Sequence, residues 1–75
     1  MPAPLTELVA GQVRAELARA RISGTQLAEK IGRAHPYVSR RLTGRVAFDT
    51  DDLDAISKLL GVEVLDLMRA PERAA

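Results

Sequence analysis

ISGTQLAEKIGRAHPYVSRRLTGR, residues 22–45, decides the fold because it sets two helix starts and two helix stops within one short run. Ser23 followed three residues later by Gln26 has the form of a capping box, in which the two side chains satisfy backbone N–H groups at a helix start. Behind it Leu27, Ala28 and Ile31 supply one apolar face, and Gly32 can adopt the left-handed backbone that ends a helix. A second helix opens almost at once. Pro36 fits a first helical turn, where its missing N–H has no intrahelical partner, and it drives His35 toward an extended conformation, so the start falls at Ala34 or His35. Val38 and Leu42 then lie one turn apart on an inner face, and Gly44 closes the segment. Helices this short, joined by so few residues, must cross steeply.

Outside this run the helical spacing continues. Leu5, Val9, Val13 and Leu17 recur every four positions with Ala10 and Ala20 alongside, predicting an amphipathic helix over about residues 5–21 that starts at Pro4 or Thr6. In RVAFDTDDLDAISKLLGVEVLDLMR, residues 45–69, Asp49 or Thr50 caps a helix with an acidic first turn, as the macrodipole favours. Leu53, Ile56 and Leu60 form its buried stripe up to Gly61. Val62, Leu65 and Met68 predict a short fifth helix that ends before Pro71. Only RVAF hints at a strand, and it is too short to make one.

The expected architecture is all-α, a compact five-helix bundle forming one domain over residues 1–75, with an ordered core at about 5–69 and a frayed tail PERAA. Phe48, Leu53, Ile56, Leu59, Leu60, Val62, Leu65 and Met68 are expected to fill the core, with some surplus near the C-terminus for a partner subunit. A chain of 75 residues buries only about 60% of its unfolded surface, so that core is small. It contains no cysteine to staple it. No apolar run approaches the roughly 18 residues of a membrane span, and MPAPLTE lacks the basic start of a secretion signal; a cytoplasmic location is expected.

Charge is segregated along the chain. Residues 14–45 hold eight Arg or Lys against two Glu, whereas residues 46–75 hold three against seven Asp or Glu, and the net charge is +1. The densest basic run is Arg33, His35, Arg40, Arg41 and Arg45, uninterrupted by an acid. Such a dipolar chain should attract a polyanion to its basic side.

The steep pair at residues 23–44 has the geometry of a helix-turn-helix. Leu27-Ala28, Ile31-Gly32 and Val38-Ser39-Arg40, followed by Gly44 and LDAISKLLGV, resemble the DNA-binding domain of phage Cro proteins and lambda-like repressors over about residues 5–69. The resemblance implies a helical bundle that binds operator DNA as a homodimer, with its third helix in the major groove. Departures from that pattern fall at Arg33, usually apolar in relatives, and at Ala34, usually Ser or Thr. They continue at Arg41, often apolar, and at Gly24, often a phosphate-holding glutamine. Leu42 replaces a common glutamate, so an apolar Leu17–Leu42 contact is expected where relatives form an ion pair.

By position, His35, Pro36, Tyr37 and Arg40 are the base-reading candidates, with Arg40 suited to a bidentate contact with guanine. His35 can equally serve its own helix as a cap, and Tyr37 can pack inward. Ser23, Gly24, Thr25, Arg33, Ser39, Arg41 and Arg45 are the phosphate-binding candidates, fixing register without reading sequence. Arg14, Arg19 and Arg21 are expected to solvate the first helix. Asp49, Asp51, Asp52 and Asp54 lack the spacing of a calcium loop and suit a helix start instead. With one histidine and no nucleophile–base arrangement, no enzyme activity, metal, cofactor or small-molecule ligand is expected. The expected function is a phage or prophage Cro-like repressor acting by operator occupancy. An antitoxin that also binds its own operator, or an interaction module that has kept the fold, are the alternatives.

Overall fold

Each helix starts where a side chain or a proline deals with an unpaired backbone N–H. The computed structural model describes residues 4–70, and every regular element among them is an α-helix: α1 (Pro4–Ala20), α2 (Gly24–Ile31), α3 (His35–Leu42), α4 (Thr50–Leu60) and α5 (Val64–Leu67). Ahead of α2 the Ser23 hydroxyl accepts from the Gln26 N–H at 3.1 Å and the Ser23 N–H donates to Gln26 Oε1 at 2.8 Å, which is the reciprocal capping box. Gly32 ends α2 at φ 72°. Ala34 caps α3 without a side-chain bond, leaving Pro36 to remove one orphan donor. At its far end Gly44, at φ 81°, lets the Arg45 N–H reach back to the Arg40 carbonyl at 3.1 Å. Asp49 caps α4, its Oδ1 accepting from the Asp52 N–H at 2.7 Å.

α1 packs against α3, α4 and α5, while α2 bridges α3 and α4. Val9, Val13, Leu17, Leu27, Ala28, Val38, Phe48, Leu53, Ile56 and Leu67 make one continuous core. Leu17 and Leu42 both belong to that apolar cluster, Leu42 at its partly buried edge. No helix among the described residues is long and apolar enough to cross a membrane.

Two expectations about burial need correction. Leu5 is 50% exposed, so the stripe of α1 begins one turn later at Val9, and the helix itself stops at Ala20 with Arg21 in left-handed backbone at φ 57°. Leu65 is 67% exposed and Met68 36%, whereas Leu67 has no exposed surface. The cause is the helix start: Asp66 accepts from the Glu63 N–H at 3.3 Å, and α5 begins at Val64. Val62 and Leu67 then take the two positions of a hydrophobic staple, and Leu65 turns outward. The PERAA tail, residues 71–75, lies outside the described residues.

This register is open to test by urea denaturation. Leu67→Ala should cost about 2–5 kcal/mol, the usual result of emptying a closed apolar site, while Leu65→Ala should stay within about 0.5 kcal/mol. Comparable losses for the two would place α5 in a different register.

Candidate nucleic-acid interface

The sequence of α3 divides its two sides cleanly. Val38 is fully buried, and Tyr37, Arg41 and Leu42 line the same half-buried edge, whereas His35, Pro36, Ser39 and Arg40 are all exposed. Pairs one turn apart share a helix face, so His35 lies above Ser39 and Pro36 above Arg40 on the outer side. Arg45 stands exposed just beyond the helix. At the start of α2, Thr25 is exposed and the Ser23 hydroxyl is engaged as the cap acceptor. Gly24 has a steric reason to be glycine: a Cβ there would lie 3.2 Å from Leu42 Cδ1, so α2 begins directly beneath the end of α3.

Three of the side chains expected to contact nucleic acid, Arg33, Tyr37 and Arg41, gather around Asp52 at the start of α4. Asp52 is 2% exposed; its Oδ2 accepts from the Tyr37 hydroxyl at 2.5 Å and its Oδ1 from Arg33 Nε at 3.0 Å. Arg41 Nε lies 3.9 Å from the same carboxylate and, among the described residues, has no hydrogen-bond partner, although its Nη1 donates to the Tyr37 carbonyl at 3.0 Å. The Arg41 guanidinium also stacks on the Tyr37 ring, 3.4 Å from its centroid, with that of Arg33 at 4.8 Å. Asp49 completes the group, 3.7 Å from Arg33 Nη2. Partners of this kind offset the desolvation of a buried carboxylate, and losing them costs roughly 3–5 kcal/mol.

Charge in this cluster moves the affinities for protons. The hydrogen bond to Asp52, followed by burial, raises Tyr37 above its ordinary value of 10.0. The backbone N–H of Asp52 holds Asp49 below its ordinary 3.8, outweighing desolvation in the other direction, with a further contribution from the charge of Arg33. Arg33 is held still more firmly protonated, chiefly by its hydrogen bond to Asp52.

Asp52 was the residue least visible beforehand, since an acid in a first helical turn has an ordinary explanation in the macrodipole. The available signal is its spacing, because Asp52 lies four residues before the fully buried Ile56 and therefore on the inward side of α4. Arg14 has a role that its place on α1 does not show. Rather than solvating α1 it donates to the Leu42 carbonyl at 2.5 Å, placing a cation at the carbonyl end of α3. The other acids of the α4 start do not converge: Asp54 pairs with Lys58 at 3.0 Å, and among the described residues no three His, Asp or Glu side chains gather as metal ligands.

Comparison with known proteins agrees with this geometry. The family model described as a helix-turn-helix domain matches residues 8–70. Among solved structures, the clp gene regulator ClgR from Corynebacterium glutamicum is similar at 25% identity with a TM-score of 0.78, over 87% of this chain and 84% of that one. A second ClgR structure gives 24% and 0.80, over 89% and 71%. The SOS-response transcriptional repressor LexA from Eubacterium rectale shares only 11% identity but a TM-score of 0.88, over 100% of this chain and 80% of that one, which is likeness of fold alone. No curated protein matches the chain in sequence. The motif likeness therefore holds at the level of the helix-turn-helix domain, without singling out phage Cro proteins.

The cluster around Asp52 predicts stability limits at both ends of the pH scale. Tyr37, raised in the folded state, contributes fully below pH 10.0 and loses that contribution as pH climbs through its higher folded value. Asp49, lowered in the folded state, contributes fully above pH 3.8 and loses it as pH falls through its lower folded value. Urea midpoints measured across pH should fall on both flanks. Tyr37→Phe should remove its share of the alkaline fall, and Asp49→Asn, which still caps α4, its share of the acid one. Unchanged flanks in both variants would contradict the assignment.

Proposed function

The chain belongs to the helix-turn-helix domain family, and we propose on that premise that it is a transcription regulator reading double-stranded DNA with α3. The observation that carries this reading is the outer face of α3, where His35, Pro36, Ser39 and Arg40 stand exposed together while Val38 anchors the opposite side. Base reading falls to Arg40, by a bidentate contact with guanine, with His35 and the apolar ring of Pro36 beside it. Arg45 and Ser39 meet phosphates, as do the N–H groups of Gly24 and Thr25 and the hydroxyls of Ser23 and Thr25, where the start of α2 favours an anion. The hydroxyl of Tyr37 stays with Asp52, which leaves this residue only its ring edge to offer.

In the finer form of this reading the protein is a Cro-like repressor of phage or prophage origin, acting in the bacterial cytoplasm by occupying an operator. It binds as a homodimer on half-sites about 34–36 Å apart. It uses no cofactor or small-molecule ligand. Leu65 on α5 and Met68 just beyond it, both exposed, support a protein partner there: the second copy in a dimer, or a toxin if the chain is an antitoxin. Co-purification separates those two.

Selection from random duplexes followed by mobility shifts over a salt series tests the proposal. A conserved two-fold-related site should emerge. Arg40→Ala should cost about 1–3 kcal/mol at one base position and relax preference there. Arg45→Ala should weaken every sequence alike and flatten the log–log salt slope by about 0.9. Absence of any shifted band at low salt would remove the reading.

A further inference from the structure

α3 packs on α1 and α2, and long side chains gathered on one buried carboxylate join it to α4. Asp52 is surrounded by Tyr37, Arg33 and Arg41, all from the turn and α3, and Asp49 faces Arg33 beside it. Two carboxylates thus stand against two guanidiniums, and their charges cancel. Arg33 and Arg41 nevertheless belong to the densest basic run of the chain, where a count of charges assigns them to DNA.

We propose that Asp52 sets the sequence-independent share of DNA affinity: it keeps Arg33 and Arg41 in internal ion pairs and withdraws both from phosphate binding, so that fewer phosphates are neutralised than the basic run would allow. The inference rests on the reading of this surface as one for double-stranded DNA. Phosphate contacts add affinity for every sequence alike and carry no information about bases. Removing two of them weakens binding to right and wrong sites by the same factor, so the preference between sites stays while overall affinity and its salt dependence fall. The arginines stay with Asp52 because leaving a buried carboxylate uncompensated costs more than a salt-screened surface contact returns. Arg41 is further restrained, its side chain only 16% exposed and its guanidinium stacked on the Tyr37 ring.

The test compares the whole protein with Asp52→Asn, using a selected duplex and a scrambled one over a salt series, with circular dichroism to verify folding. Asp51→Asn is the control, since Asp51 is exposed on the same helix and its loss changes the net charge equally. Asp52→Asn should steepen the salt slope by about 0.9 to 1.8, one or two phosphates' worth, and tighten binding to the selected and the scrambled duplex by the same factor. Asp51→Asn should do neither. Identical behaviour of the two variants overturns the proposal.

Should Asp52→Asn fail to fold, the arginines decide. Arg33→Gln must leave the slope within a few tenths while Arg45→Gln flattens it by about 0.9, and an equal flattening by both refutes the withholding of Arg33. If the unmodified protein shifts no duplex at any salt, the DNA reading itself fails, and heparin, a polyanion without bases, still judges the ion pairs. Asp52→Asn must then elute at higher salt than Asp51→Asn, and co-elution overturns the inference.

Discussion

Val38 has no exposed surface, and the placement of α3 follows from that burial. Gly32 turns the chain through left-handed backbone, and Ala34 and Pro36 restart the helix so soon that α3 has little freedom except rotation about its own axis. Burying Val38 against α1 and α2 removes that rotation. Once it is fixed, Tyr37, Arg41 and Leu42 must lie inward, and His35, Pro36, Ser39 and Arg40 must lie outward. Small residues make the approach close enough: Ala28 is buried beneath the crossing, and Gly24 sits under Leu42. A single methyl-bearing contact thus decides which side chains can meet a macromolecule.

Polar contacts then hold α3 at both ends. Arg14 reaches from α1 to the Leu42 carbonyl, where the partial negative charge of a helix terminus favours a cation. Near the other end Tyr37 and Arg33 reach to Asp52 on α4. These two attachments divide the basic residues by task. Arg14, Arg33 and Arg41 have partners within the chain, whereas Arg40 and Arg45 stand exposed beyond this group.

The helix boundaries were legible because they rest on local chemistry. The Ser23–Gln26 capping box, the left-handed Gly32 and Gly61 and the Asp49 cap involve residues within a few positions of one another, and their signatures survive in sequence. The inner stripe of α3 was legible for the same reason. The fate of Leu65, Met68 and Leu67 was not, since α5 is one turn long and a shift of two residues in its start exchanges inside for outside. Within the site, exposure of His35, Pro36 and Arg40 could be read from helical spacing, but the partners of Arg33, Tyr37 and Arg41 could not. Asp52 lies on another helix, reached only after the chain has turned back past Phe48.

Gln12 shows what such distant contacts mean for local stability. Its amide donates to the carbonyls of Asp66 at 3.3 Å and Arg69 at 2.9 Å, joining segments 54 and 57 residues apart. A one-turn helix has no stability in isolation, and closing so long a loop carries an entropic penalty. α5 therefore depends for its stability on the surface that α1 and α4 supply. Its amides should exchange with solvent deuterium through openings that leave the remaining helices intact, making it the least protected unit of the molecule.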